Sequence, residues 1–120
     1  MENFTSKSLS ASTVVIEISN RFTELERDQF FDDISIMIDS GVKFVVIDCH
    51  KLGFLTSGGL AGLLAARKRV SKKGGKIYLT NMSSHIIDSI KATKLSQVLS
   101  VYPTNKAAID SLRNDPRCVG

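Results

Sequence analysis

The sequence predicts an α/β fold, in which one small domain has a mixed β-sheet of four to five strands with about four helices packed on it. Short apolar runs alternate with segments whose apolar residues recur every three or four positions, as strands and helices do. The chain has 120 residues, which suits one compact domain. We therefore expect a single domain over residues 1–120, with its core at about 14–112 and a flexible tail at 113–120.

Composition and charge narrow the class of protein. Hydrophobic residues make up 42% of the chain and charged residues 23%, close to globular averages, and the net charge is +4. The amino terminus lacks a targeting pattern and no apolar segment approaches the roughly 18 residues that span a bilayer, so we expect a cytoplasmic protein. Cys49 and Cys118, like His50 and His85, lack metal-ligand or redox spacing. We expect free thiols, no metal and no cofactor.

The first elements are a strand at 14–18, where every second residue is apolar, and a more weakly signalled strand at about 3–9. Thr23 and Glu26 have the spacing of a capping box, which predicts that a helix begins there. Gly41 supplies a left-handed stop for that helix. Its apolar stripe consists of Phe30, Ile34, Met37 and Ile38.

The continuous apolar run at 44–47 predicts a central strand that is covered on both faces. A loop is expected at 48–56, followed by a helix at 57–73 that ends at two glycines. The next strand is expected at 76–80. A strand, a helix and a strand at this spacing predict a right-handed crossover between parallel strands.

Three more elements complete the predicted domain. Residues 81–92 have the apolar spacing of a helix, which Ser83 or Ser84 would cap. A short apolar strand is expected at 98–102, and a last helix at 104–112.

A group of cations lies at the end of the second predicted helix. The apolar face of that helix is directed elsewhere, so we interpret the cations as a solvated face that contributes to contact with an acidic protein partner. Neither interleaved aromatics nor a reading helix accompanies them, so we expect no nucleic-acid binding. The cations are Arg67, Lys68, Arg69, Lys72, Lys73 and Lys76.

Two enzyme-like patterns around Ser57 are incomplete. Residues 53–58 begin like a phosphate-binding loop, but Gly59 and an apolar residue follow where Gly-Lys-Ser/Thr should close it. Asp48, His50 and Ser57 could suggest a hydrolase triad, yet the Gly-x-Ser-x-Gly pattern lacks its first glycine. We expect no catalysis, and a small hydrolase using Ser57 is the rival hypothesis from another class.

Three segments together resemble a known family: Val45-Val46-Ile47-Asp48, then Leu52-Gly53-Phe54-Leu55-Thr56-Ser57-Gly58-Gly59-Leu60, then Gly74-Gly75-Lys76-Ile77-Tyr78-Leu79. In this order they resemble the STAS family, which includes sulphate transporters and anti-sigma-factor antagonists. The resemblance runs from about residue 14 to residue 112 and implies a single STAS-like domain.

The resemblance also identifies two loops. The family pattern in the first is an apolar residue, Asp, Ser, a small residue, Gly and Leu; residues 57–60 match its last four places, while Thr56 replaces the Asp. In the second loop the family tends to have Gly, any residue, an apolar residue and Asp. This chain has Asn20-Arg21-Phe22-Thr23 there, so both loop carboxylates are missing.

The resemblance implies a free-standing anti-sigma factor antagonist that acts by partner switching in transcription regulation. It would bind an anti-sigma factor that is also a serine kinase, be released by phosphate on Ser57, and be restored by a phosphatase. Thr56 is the second candidate for phosphorylation. The implied contact residues are Asn20, Arg21, Phe22, Thr23, Thr56, Ser57, Gly58, Gly59 and Arg67.

The residues themselves allow this reading and leave two alternatives. Ser57 stands where a helix begins, and unpaired N–H groups there favour negative charge. In one alternative Ser57 is only a helix cap and the glycines behind it only shape the turn. In the other, the missing carboxylates mark a divergent, non-phosphorylated STAS subunit that scaffolds a larger transporter or stress-signalling complex.

Overall fold

The computed structural model describes residues 4–92 and 99–115 of the chain. Five strands form one sheet in the order in which they occur along the chain. The first two pair antiparallel and all later neighbours pair in parallel, so the predicted mixed sheet is confirmed. The strands are β1 (Phe4–Ser8), β2 (Thr13–Phe22), β3 (Phe44–Leu55), β4 (Lys76–Thr80) and β5 (Ser100–Tyr102).

The described helices cover both faces of this sheet. Apolar residues of α1 (Glu24–Asp39), α2 (Ser57–Lys72) and α3 (Ser84–Ala92) join the main core on one face. On the other face, α4 (Asn105–Arg113) packs its buried residues against a smaller apolar cluster of β3, β4 and β5. The domain therefore has three layers, with the sheet in the middle.

The start of β3 lies at the centre of both cores. Its four apolar residues 44–47 have no exposed area, because alternate side chains face the two helix layers. Ile47 lies in the main core together with Leu63 of α2, whose side chain is 1% exposed. The continuous apolar run thus correctly predicted a strand that is covered on both faces.

The predicted loop at 48–56 was wrong, because β3 continues to Leu55 and pairs with β2 along this whole length. The register shifts twice, between Glu17 and Ser19 and again between Asn20 and Arg21. A bulge changes which residues face the core, so the usual alternation is lost. The sequence pattern therefore resembled a loop.

Helix ends follow the predicted chemistry in most places. Thr23 and Glu26 form the capping box at the start of α1, and Gly41 lies beyond its end with a φ of 112°. Ser83 Oγ accepts a hydrogen bond from the Ile86 N–H, which selects Ser83 rather than Ser84 as the cap of α3. The capping residues therefore account for the starts of α1 and α3, and Gly41 accounts for the end of α1.

Both cysteines of the chain were expected to be free thiols. Cys49 is a buried free thiol, and burial raises its pKa to about 12, whereas Cys118 lies outside the described residues. Val98 and residues 116–120 also lie outside them. Within residues 4–92 and 99–115, no helix combines the length and apolar character needed to cross a membrane.

Candidate functional site

The two loops named from the sequence lie side by side at the ends of β2 and β3. Arg21 pairs with Phe54 and Phe22 pairs with Leu55 in the parallel register. The backbone N–H of Thr56 then donates to the Phe22 carbonyl over 3.3 Å. Parallel pairing of two strands therefore joins segments that are more than thirty residues apart.

Thr56, and not Ser57, is the cap of α2. The Thr56 backbone is extended, and its Oγ1 accepts a hydrogen bond of 3.1 Å from the Gly59 N–H. Ser57 is the first helical residue and is exposed. Among the described residues its hydroxyl has no hydrogen-bond partner. The alternative in which Ser57 serves only as a cap is therefore wrong.

A carboxylate reaches this loop from α1. Thr56 Oγ1 donates to Glu24 Oε1 over 2.7 Å, so the Thr56 hydroxyl is engaged both as donor and as acceptor. The Thr56 hydroxyl holds the pKa of Glu24 below its usual value, because it bonds to the charged form. The loop thus has a carboxylate beside it although Thr56 and Thr23 occupy the family's Asp positions.

Sequence reasoning missed Glu24 because it lies 32 residues before Thr56 and looks like an ordinary first-turn acid of a helix. One signal was present: Glu24 directly follows Thr23, which stands where the family places a carboxylate.

The two glycines after Ser57 have different neighbours. A Cβ added at Gly59 would overlap the backbone carbonyl of Phe22, and Gly59 is buried. A Cβ added at Gly58 would meet only the side chain of Glu24, at 2.7 Å from Oε1. Gly59 therefore allows α2 to start tightly against β2, and only the half-buried Gly58 borders the exposed surface.

The segment after the first long strand is partly exposed. Asn20 is exposed with a φ of 74°, a left-handed conformation that Asn tolerates better than most residues and that Gly adopts readily. Arg21 is exposed and pairs with Glu26 over 3.1 Å. Phe22 has no exposed area and Thr23 is 8% exposed. Of the four residues, only the first two present side chains at the surface.

Two large apolar side chains that were not named from the sequence lie exposed next to these loops. Leu25 is 78% exposed in the first turn of α1, directly after Glu24. Phe54 is 57% exposed at the end of β3, two residues before Thr56. Apolar and aromatic side chains are common at the centre of protein-binding interfaces, and they also occur singly on ordinary protein surfaces. We call Leu25, Phe54 and Ser57 the contact surface.

The cations of α2 lie away from this surface. Arg67 follows Ser57 by ten residues, which is about 15 Å along a helix axis. Arg69 pairs with Asp39 of α1 over 2.8 Å, and Lys68, Lys72 and Lys73 are exposed. The predicted solvated face is confirmed for these three lysines.

Asp48 and His50 are not joined to Ser57. Asp48 is on the sheet face that packs against α4, where it accepts hydrogen bonds from the His50 N–H (3.0 Å), Asn81 (3.1 Å) and Asn105 (3.0 Å). No hydrogen bond among the described residues links this group to Ser57, so the structure does not assemble the triad. The described residues also contain no cluster of three His, Cys, Asp or Glu that could hold a metal ion.

The fold and this pair of adjoining loops define a class of small α/β domains, and the sequence places the chain within it. Residues 7–108 match the STAS domain family. The chain therefore belongs to the STAS domain family.

Individual relatives are distant in sequence but close in fold. BtrV of Bordetella bronchiseptica, described as a candidate anti-sigma factor antagonist, is 25% identical over 76 residues, which is 63% of each chain and less than two thirds of BtrV. TM1081 of Thermotoga maritima, with the same description, has a TM-score of 0.85 at 16% identity, covering 92% of this chain and 95% of that one. Phosphorylated SpoIIAA of Bacillus has a TM-score of 0.71 at 22% identity, covering 92% and 99%.

Proposed function

We propose that this chain is an anti-sigma factor antagonist that binds an anti-sigma factor with serine kinase activity and is released when Ser57 is phosphorylated. One observation carries the proposal: the Ser57 hydroxyl is exposed and unbonded among the described residues, beside the exposed Leu25 and Phe54. The relatives described as anti-sigma factor antagonists, and the phosphorylated form of SpoIIAA, support the same function.

The acceptor is Ser57 and not Thr56. A kinase needs a hydroxyl that can enter its active site, and the Thr56 hydroxyl is held at both ends by Gly59 and Glu24. Phosphate on Thr56 would break the cap of α2 and place a dianion against a carboxylate. Phosphate on Ser57 leaves the hydrogen bond between Thr56 and Gly59 in place.

Release follows from the place of Ser57 in the contact surface. A phosphate adds about −1.5 to −2 charges and three strongly hydrated oxygens. If a partner covers Leu25 and Phe54 closely, those oxygens must lose water without gaining hydrogen bonds. The phosphorylated protein is then released, and a phosphatase restores binding.

The test starts with capture of the partner from the source cells and mass spectrometry of the captured chain. We expect phosphate on Ser57 and none on Thr56. Purified wild type, Ser57→Ala and Ser57→Glu are then titrated against the captured kinase. Ser57→Ala should bind as wild type does and accept no phosphate, and Ser57→Glu should bind at least about tenfold more weakly, a loss of about 1.4 kcal/mol.

Ser84→Glu is the matched control. Ser84 is also exposed and also the first residue of a helix, and it follows the capping residue Ser83. Its binding should equal that of wild type. Equal affinity of wild type and Ser57→Glu would remove Ser57 as the switch and favour the alternative, a non-phosphorylated STAS subunit that scaffolds a larger complex. Labelling of Ser57 by a general serine-hydrolase reagent would favour the hydrolase.

A further inference from the structure

We propose that Glu24 and a phosphate on Ser57 compete for the amino-terminal end of α2, so that phosphorylation breaks the contact by which α1 holds this loop. The inference rests on the proposed function, since it concerns what the modification does inside the domain. It assigns Glu24 a role as a positioning residue for the modified loop.

The geometry places the Glu24 carboxylate on both chain neighbours of Ser57. It accepts from the Thr56 hydroxyl over 2.7 Å, and it lies against the position that a Gly58 side chain would occupy. Ser57 is the residue between these two. Both chain neighbours of Ser57 therefore meet the carboxylate, which places a phosphate on Ser57 in its neighbourhood.

The first turn of α2 contains no acidic residue of its own. A helix end attracts negative charge, and here Glu24 supplies that charge from the neighbouring helix. Gly58 permits this approach, because any larger side chain there would meet the carboxylate. A second anion on Ser57 would lie at the same helix end and repel the first.

The hydrogen bond between Thr56 and Glu24 joins the loop that carries Ser57 to α1. The other charged residues that act on Glu24 are Arg27, which favours its charged form, and Glu26, which opposes it. Among the described residues neither is hydrogen-bonded to Thr56, and the bond from Thr56 to Glu24 is the one that a phosphate on Ser57 would disturb. Leu25 directly follows Glu24 in the first turn of α1, so the disturbed hydrogen bond adjoins the contact surface.

The experiment is a double-substitution cycle that needs no partner protein. Urea unfolding is measured for wild type, Glu24→Gln, Ser57→Glu and the double variant. Glu24→Gln keeps an oxygen that can accept from Thr56 and removes only the charge. Each Ser57→Glu protein is compared with its parent, which is either wild type or the Glu24→Gln variant. The quantity compared is the unfolding constant of the Ser57→Glu protein divided by that of its parent. We expect this quotient to be about two- to fivefold higher when the parent is wild type than when it is Glu24→Gln, because only wild type has the opposing charge at Glu24.

Ser84→Glu is again the matched control, because it adds the same charge at the first position of α3, whose first turn has no acid. Its ratio should be the same in both parents. Equal ratios for Ser57→Glu in the two parents would overturn the inference.

A second readout does not depend on stability. An NMR titration of the Glu24 carboxyl should give a higher pKa in Ser57→Glu than in wild type, since the new charge opposes ionisation. An unchanged or lower pKa would also overturn the inference. Both results are separable from the proposed function. The coupling can exist in a chain that no kinase modifies, and a kinase can release a chain in which the coupling is absent.

Discussion

Asp48 and Ser57 belong to two polar regions on opposite faces of the same sheet. The Asp48 cluster, made of Asp48, Thr80, Asn81 and Asn105, ties β3 and β4 to the start of α4. Both carboxylate oxygens accept hydrogen bonds, and Thr80 has no exposed area. In the Ser57 loop, residues 56–59, the Thr56 hydroxyl is hydrogen-bonded within the protein, whereas the Ser57 hydroxyl is exposed to solvent.

The difference separates polar groups that hold the fold from those that are available to a partner. Among the described residues, no buried side-chain nitrogen or oxygen lacks a hydrogen-bond partner. A group whose bonds are all internal contributes to stability and offers nothing to a ligand unless the cluster opens. An exposed unbonded hydroxyl contributes little to stability and can be modified without breaking a hydrogen bond of its own. Stability measurements should therefore rank the residues of these two regions in a definite order.

The largest expected effect comes from the packed side of the Ser57 loop. Gly59→Ala should destabilise the domain by about 3 kcal/mol, the upper part of the range for overpacked sites, because its methyl group would overlap the Phe22 carbonyl. Gly58→Ala is the comparison: its methyl group would meet the Glu24 side chain, at 2.7 Å from Oε1 and 2.9 Å from Cβ, whereas at Gly59 it would meet a backbone carbonyl oxygen at 2.0 Å, so its cost should be smaller. Urea unfolding of both variants measures the difference. A cost for Gly59→Ala no larger than that for Gly58→Ala would show that the Phe22 carbonyl does not confine Gly59.

The sequence predicted the fold well where local pattern and tertiary packing agree. The alternating apolar residues of β2 correspond to a strand with one well-covered face. The continuous apolar run of β3 corresponds to a strand that is covered on both faces. The edge strand β1 was only weakly signalled, because Phe4 alone is partly buried there and the strand depends on its pairing with β2. The extension of β3 was missed because register shifts remove the alternation.

The site was predictable in part, and the part that was missed depends on tertiary contacts. The resemblance named the Ser57 loop and residues 20–23, and parallel pairing explains why they are adjacent. It did not indicate that Phe22 would be buried or that Glu24 would reach Thr56. The exposure of Leu25 and Phe54 was equally hidden, because one residue lies in a helix and the other in a strand that was predicted as a loop.

The intermediate effect is expected in the Asp48 cluster. Asp48→Asn keeps the shape but replaces one carboxylate oxygen by an NH2 group, and since both oxygens accept hydrogen bonds, at least one hydrogen bond is lost. The expected cost is about 1 to 3 kcal/mol at neutral pH. A cost below about 0.3 kcal/mol in urea unfolding would mean that the cluster does not hold α4 to the sheet.

The same cluster predicts a pH dependence. Partial burial raises the pKa of Asp48, but hydrogen bonds from Asn81, the His50 N–H and Asn105 outweigh it and hold the pKa below its usual value. A carboxyl whose pKa is lower in the folded than in the unfolded chain stabilises above the unfolded pKa and loses that contribution as pH falls through the folded pKa. The stability difference between wild type and Asp48→Asn should therefore shrink from neutral pH to about pH 3, below the usual Asp pKa of about 3.9. A constant difference would mean that Asp48 has the same pKa in both states.

The smallest effect should fall on Ser57, and comparison with its neighbour makes that small value informative. Thr56→Ala removes the cap of α2 and the bond to Glu24, which should cost about 1 kcal/mol, the typical value for a lost cap. Ser57→Ala removes a hydroxyl without a partner among the described residues, so its cost should stay below about 0.5 kcal/mol, as for ordinary surface changes. Urea unfolding at neutral pH separates the two values. If Ser57→Ala cost as much as Thr56→Ala, its hydroxyl would have a structural partner, and the division between the closed Asp48 cluster and the open Ser57 loop would fail. If the predicted order holds, the fold of Ser57→Ala is unchanged, so a change in its partner binding or phosphorylation tests the proposed role of Ser57 alone.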